Sequence, residues 1–316
     1  MSRRGTGRGP AAASVVVGLA ATCVLVACGS ATEAQRSPSA TSTPPIAPKS
    51  SPSTSAAPPP DASRPLTSAP ASTAVVAPQP PPAGKATSPT PQATSAPPPP
   101  AVTQTSRDFG ASAQGRPLVA THRVAEGPRL PAVVIVGSIH GDEPAGMRVV
   151  DRLMGLAPPA GGDLWLVSTV NPDGLAAGTR ANAAGVDLNR NFPDLWEPSE
   201  PGTKTYSGPS AASEAETRAF MALLDDIDPA VVVVLHQPLN GVDTYRMKSP
   251  ALVRRLTAQT VLPAREFACG GVCHGTFTGW FNAAHPGAAV TVELPRSPSN
   301  AQLDRVARGI LAGAYG

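Results

Sequence analysis

Between residues 117 and 295 short apolar runs alternate with stretches whose apolar positions recur at helical spacing. The runs are "PLVATHRV" (117–124), "AVVIVG" (132–137), "LWLVSTV" (164–170), "AVVVVLH" (230–236) and "AAVTVEL" (288–294). Their length and β-branched content predict strands. Helices are predicted at about 143–156, 212–226, 249–260 and 299–313. Ser213 with Glu216 has the spacing of a capping box, and Asp228-Pro229 ends that helix before the next strand. Strands this uniformly apolar need cover on both faces. The order of elements therefore predicts an α/β fold with a mixed, mostly parallel central sheet and helices on both sides.

The chain before this region reads differently. Arg3, Arg4 and Arg8 precede a small, apolar stretch over 11–27 that ends in "LVAC", the pattern of an exported protein whose cleaved signal leaves Cys28 as a lipidated first residue. The signal is placed at residues 1–28. From 29 to 105 the composition turns to Pro, Ser, Thr and Ala, with 20 of the 39 prolines between Pro38 and Pro100. Such a segment cannot bury enough apolar surface to offset its ordering entropy, so it is read as a disordered tether. The expected domains are thus signal 1–28, linker 29–105 and a folded region 106–316. These assignments place the protein at the outer face of a bacterial membrane, facing the cell-wall space and held through Cys28. The net charge of +3 comes without a basic block after the signal, which argues against nucleic acid. Cys269 and Cys273, four residues apart, are expected to form a disulfide in an exported chain.

Three polar residues terminate apolar runs. His140 follows one strand, His236 ends another, and Glu293 lies near the end of a third. In α/β sheets functional groups gather where strands end, and burying such groups without partners costs several kcal/mol each, roughly. A histidine in this position can be a hydrogen-bonded core residue, a base or a metal ligand. Zinc accepts imidazole nitrogen and carboxylate oxygen, and His140 with Glu143 can supply two ligands from one tight turn. His236 is the best candidate for the third. The loop-like segment 171–193 adds Arg180 and Arg190, whose guanidinium forks suit a carboxylate or a developing oxyanion.

The motifs "HGDE", "NPDG", "GVDLNRNFP", "SGPSAASEAETRAF", "LHQ" and "VTVELP", in this order, resemble those of the zinc metallocarboxypeptidases, the carboxypeptidase A-like M14 family. The "HGDE" and "GTRANAAGVDLNRNFP" wording is similar to the murein peptide amidase A branch. The resemblance implies one zinc ion per chain on His140, Glu143 and His236, with Glu293 as general base. It implies further that Asp187 orients the first histidine, that Arg180 stabilises the oxyanion, and that Asn189 and Arg190 grip the substrate's free carboxylate. A peptide or murein-peptide substrate follows, with the γ-D-glutamyl to meso-diaminopimelate bond favoured.

Two positions depart from the family pattern. The tyrosine that many members close over the substrate falls on Gly271, leaving His274 or Tyr245 as candidates to substitute. The position shaping the specificity pocket falls on Thr278, small and polar, which disfavours a large apolar terminal residue. His122 and His285 match no motif and are read as ordinary strand or loop residues. Asp142 stands where the pancreatic enzymes carry an arginine. Other readings compatible with the residues are a carboxypeptidase acting on ordinary peptides, an N-acyl amino acid deacylase, and a non-catalytic wall-binding lipoprotein. The last usually shows loss of a ligand or of the base, and neither is lost here.

Overall fold

The computed structural model describes residues 100–316. The signal, Cys28 and nearly all of the tether assigned to 29–105 lie outside the described residues. The eight strands are β1 (Val102–Ala111), β2 (Pro117–Ala125), β3 (Ala132–Val136), β4 (Asp163–Val167), β5 (Val231–His236), β6 (Leu239–Asp243), β7 (Ala264–Arg265) and β8 (Ala288–Pro295). They form one sheet in the order β1-β2-β4-β3-β5-β8-β6-β7. Its centre, β4-β3-β5-β8, is parallel, while the β1-β2, β2-β4 and β8-β6 pairings are antiparallel.

Strand β3, and β5 as far as Leu235, are apolar at every position because both of their faces are covered. Along β3 and β5, Val133, Ile135, Val233 and Leu235 point to one side. There they meet the helices α1 (Ala145–Met154), α4 (Pro250–Thr260) and α6 (Asn300–Tyr315). Val134, Val136, Val232 and Val234 point to the other side, against α3 (Ala215–Ile227) and α5 (Phe277–Ala284) through Phe220, Leu223, Phe277 and Phe281. The period of two sends alternate side chains into two separate cores.

Three expectations need correction. Among the described residues strand β1 already starts at Val102 and pairs along its length with β2, so the boundary at 106 falls inside a strand. Most β1 side chains are exposed, and such a polar edge strand shows no apolar run. The capping box expected from Ser213 and Glu216 does not form: α3 starts at Ala215, and Ser213 Oγ donates to Glu214 Oε1 at 2.7 Å. Glu216 is instead fully buried, accepting from Ala113 N at 3.0 Å, so a tertiary hydrogen bond has displaced the local one. A capping box is present at α6, between Ser299 and Gln302. The run 164–170 also stops early, at Val167, where the chain turns and Val170 N donates to Ser138 O at 3.0 Å. The short helix α2 (Pro172–Ala177) and α5 were not anticipated.

Helix α1 approaches the sheet where a side chain would not fit. A Cβ added to Gly146 would lie 1.8 Å from Gly137 O and 2.7 Å from Leu235 Cβ. Gly→Ala in an exposed helix normally stabilises by up to about 1 kcal/mol. Gly146→Ala is expected to do the opposite, lowering stability by about 1–3 kcal/mol through overpacking. Thermal unfolding checks this, and an unchanged or raised Tm would contradict the close approach.

Candidate metal centre and substrate cavity

The carboxyl ends of β3, β5 and β8 meet at one side of the sheet. His140 lies just beyond β3, and His236, the last residue of β5, pairs in register with Glu293 of β8. The loop carrying His140 is pinned by packing: a Cβ on Gly141 would fall 2.0 Å from Gly174 C, within α2. This holds Glu143, three residues on, beside the histidine that precedes it.

His140, Glu143 and His236 are all buried, and their donor atoms lie within 4.8 Å of one another. His140 Nδ1 is 2.9 Å from Glu143 Oε1 and 3.2 Å from His236 Nδ1, and His236 Nδ1 is 2.8 Å from Glu143 Oε2. Two imidazole nitrogens facing each other beside a carboxylate make a site that needs a cation. Arg180 already supplies part of one, its Nη1 standing 3.1 Å from His140 Nδ1 and 3.3 Å from Glu143 Oε1. Two nitrogen donors and one carboxylate match the preferences of zinc, so the residues present fit that ion. Burial would raise the Glu143 carboxyl, but the charges and hydrogen bonds of His236 and His140 hold it well below the usual carboxylate range.

The far side of His140 is equally organised. Its Nε2 lies 3.1 Å from Oδ1 of Asp187, a carboxylate with no solvent exposure. Arg180 Nε donates to Asp187 Oδ2 at 3.0 Å, and Asn189 N donates to Oδ1 at 2.9 Å. Despite burial, which acts the other way, the hydrogen bond and charge of His140 and the charges of Arg180 and Arg190 keep Asp187 far below the usual range. It is therefore ionised, and it fixes His140 with Nδ1 turned to the centre.

A cavity of about 530 Å³ opens in front of these groups, lined among others by Arg180, Asn189, Arg190, Thr278 and Glu293. Glu293 accepts from Leu239 N at 3.1 Å. Burial pushes its carboxyl above the ordinary range, and the nearby Glu143 adds to this against the opposing pull of His236. Arg190 donates from Nη1 to Asn189 O at 2.7 Å, and its Nη2 reaches Cys269 Sγ at 3.7 Å. Asn189 Oδ1 is already engaged with Phe277 N at 2.9 Å, so the turn carrying Asn189 and Arg190 is tied to the start of α5.

The zinc carboxypeptidase (Peptidase_M14) profile matches residues 161–241. Murein peptide amidase A of Escherichia coli K12 is 35% identical over 150 residues, covering 44% of this chain and 61% of that protein, less than two thirds of its length. Murein peptide amidase A of Vibrio campbellii is 31% identical over 203 residues, covering 60% of this chain and 79% of the relative. The chain belongs to the zinc carboxypeptidase family. The solved murein-tripeptide amidase of Escherichia coli O157 superposes with a TM-score of 0.55 at 29% identity, over 66% of this chain and 89% of that one.

Against the family pattern, the two substitutes for the missing tyrosine separate clearly. Gly271 sits in an exposed turn within the loop joined by the Cys269–Cys273 disulfide. His274 turns away, with Nδ1 3.0 Å from Leu195 O. Tyr245 lines the cavity, and its hydroxyl accepts from Cys273 N at 3.3 Å. Asp142 is exposed at the cavity edge. His122 is structural, 2.7 Å from Asp163 and stacked on Trp165, and His285 stacks on Phe281. Sequence reasoning missed Asp243, which also borders the cavity. It ends a short strand with no apolar run to flag it.

Asp187→Asn would keep most of the hydrogen-bonding shape and remove the charge that orients His140. Zinc affinity is expected to fall by about 10–100-fold while the fold is retained. Competition against a chromophoric chelator measures it, and an unchanged affinity would remove Asp187 from this role.

Proposed function

We propose that the cavity belongs to a zinc-dependent hydrolase that cuts an amide or peptide bond next to a free carboxylate, with the γ-D-glutamyl to meso-diaminopimelate bond of a cell-wall peptide as favoured substrate. The observation that carries this reading is the meeting, in one cavity, of the His140–Glu143–His236 donor set, the buried carboxylate of Glu293 and two arginines. The similarity to murein peptide amidases supports the choice of substrate, and the small, polar Thr278 on the cavity wall is compatible with a polar terminal residue.

Zinc held by His140, Glu143 and His236 would act as a Lewis acid and lower the pKa of water toward neutrality. Glu293, whose buried carboxyl is already held at a raised pKa, takes a proton from the attacking water. The water oxygen forms a bond to the carbonyl carbon, the carbon–nitrogen bond breaks, and Glu293 passes its proton to the departing amine. Arg180 is placed beside the donor set to stabilise the negative charge that develops on the carbonyl oxygen, a contribution whose loss costs about 10²–10³ in kcat. Arg190 and Asn189 hold the free carboxylate of the released residue.

The proposal extends to location: an exported protein anchored through Cys28 would carry this domain on a long tether toward wall material. The Cys269–Cys273 disulfide supports export, because disulfides persist mainly in oxidising compartments.

The test offers the zinc-loaded chain three substrates: L-Ala-γ-D-Glu-meso-diaminopimelate, a peptide with an ordinary C-terminal residue, and an N-acyl amino acid. Products are read by mass spectrometry. Release of diaminopimelate is expected, with Glu293→Gln binding zinc normally but turning over at least about 10²-fold more slowly. Cleavage of only another substrate would discard the wall-peptide assignment, and wild-type-like turnover in Glu293→Gln would remove Glu293 as base.

A further inference from the structure

Strand β6 runs antiparallel to β8, with Gly241 opposite Glu293 and Val242 opposite Val292. One step on, that register sets Asp243 opposite Thr291. Side chains alternate between faces, so Asp243, Thr291 and Glu293 share a face of the sheet, and all three line the cavity. Asp243 stands two residues, or about 7 Å, along the strand from the level of Glu293.

Its carboxylate is held in place but not neutralised. Tyr245 N and Phe267 N both donate to the same oxygen, Oδ1, at 2.8 Å and 3.1 Å. Among the described residues no lysine or arginine stands within ion-pair distance of it: Arg246 faces Asp194 at 3.6 Å, and Arg265, paired with Asp243 in the β6–β7 register, forms no ion pair. Burial raises the Asp243 carboxyl above the ordinary carboxylate range, with Glu266 adding to the effect and the backbone N–H donors opposing it. Holding a desolvated acidic group at a fixed point of a cavity wall is costly, and a cationic group arriving with the ligand offsets that cost.

We propose that Asp243 is a specificity-determining residue that accepts the side-chain ammonium group of the released amino acid. This rests on reading the cavity as that of an amidase or carboxypeptidase. Arg190 then faces the free carboxylate of that residue and Asp243 its distal amine, and the step along the strand suits a side chain of lysine or diaminopimelate length. The class of substrate is a terminal residue bearing both a carboxylate and a distant ammonium group.

The experiment compares binding of two free amino acids to the zinc-loaded full chain by calorimetry. They are meso-diaminopimelate and 2-aminopimelate, which keeps the length and both carboxylates but lacks the distal amine. The wild type is expected to bind diaminopimelate at least 10-fold more tightly, and Asp243→Asn to abolish the difference while leaving 2-aminopimelate unaffected. The asparagine oxygen can still accept from Tyr245 N and Phe267 N, and Asp243→Ala, expected to lose the same discrimination, is the second variant should the first not fold. Equal affinities in the wild type, binding of neither ligand, or equal weakening of both in Asp243→Asn would overturn the proposal. Turnover of L-Ala-γ-D-Glu-meso-diaminopimelate is followed in parallel. Its absence, with discrimination between the ligands intact, would remove the amidase reading and leave Asp243 as an ammonium-binding residue.

Discussion

The buried carboxylate of Asp187 holds together three parts of the site that come from different places in the chain. It sets the ring of His140, the first donor of the metal cluster. It takes two nitrogens of Arg180, which leaves that arginine's third nitrogen over Glu143 and His140. It also accepts from Asn189 N and so shapes the turn that carries Arg190. A single anion removed from water would be very costly, and here it persists because every partner is a donor or a cation. The result is a network in which the orientation of one metal donor, the placement of Arg180 and the turn that carries Arg190 are set by one group. Loosening that group would disturb all three at once.

The sheet supplies the second layer of constraint. Its parallel centre brings the carboxyl ends of β3, β5 and β8 to one side, and the in-register pairing of His236 with Glu293 fixes the distance between a donor and the proposed base. The antiparallel addition of β6 to β8 then carries the cavity wall outward from Glu293, step by step, to Thr291 and Asp243. Chemistry near the metal donors and recognition farther out are thus written on the same two strands. Both strands rest on a core whose residues are almost entirely inaccessible.

Much of this was legible before any coordinates. The five apolar runs became the central strands together with β2, because continuous Val/Ile/Leu sequence has few alternatives to a doubly covered strand. His140, His236 and Glu293 stood out because they terminate such runs, and Glu143 because it follows His140 by three residues in a motif that resembles the family's. What stayed hidden had in each case a tertiary cause. Strand β1 is polar and lies at the edge, so no apolar pattern marks it. Glu216 looked like a helix cap because the cap has a sequence signature, whereas its actual partner, Ala113 N, is more than a hundred residues away. Asp243 had no signature because its place in the cavity comes from strand register, which a lone sequence does not display.

The loop between β7 and α5 shows how a surface segment with few apolar residues can still border a site. Over 266–275 the chain has almost no buried apolar side chain except Cys273. It is held by the Cys269–Cys273 disulfide, by Phe267 N on Asp243, and by Cys273 N on the Tyr245 hydroxyl. A covalent closure limits the freedom of the unfolded loop, and the two hydrogen bonds set its position. Both bonds end on residues that line the cavity, and Cys269 Sγ touches Arg190 from the other side. The loop is therefore a wall built against Arg190 and against Asp243, and the shape of the cavity depends on it as much as on the sheet.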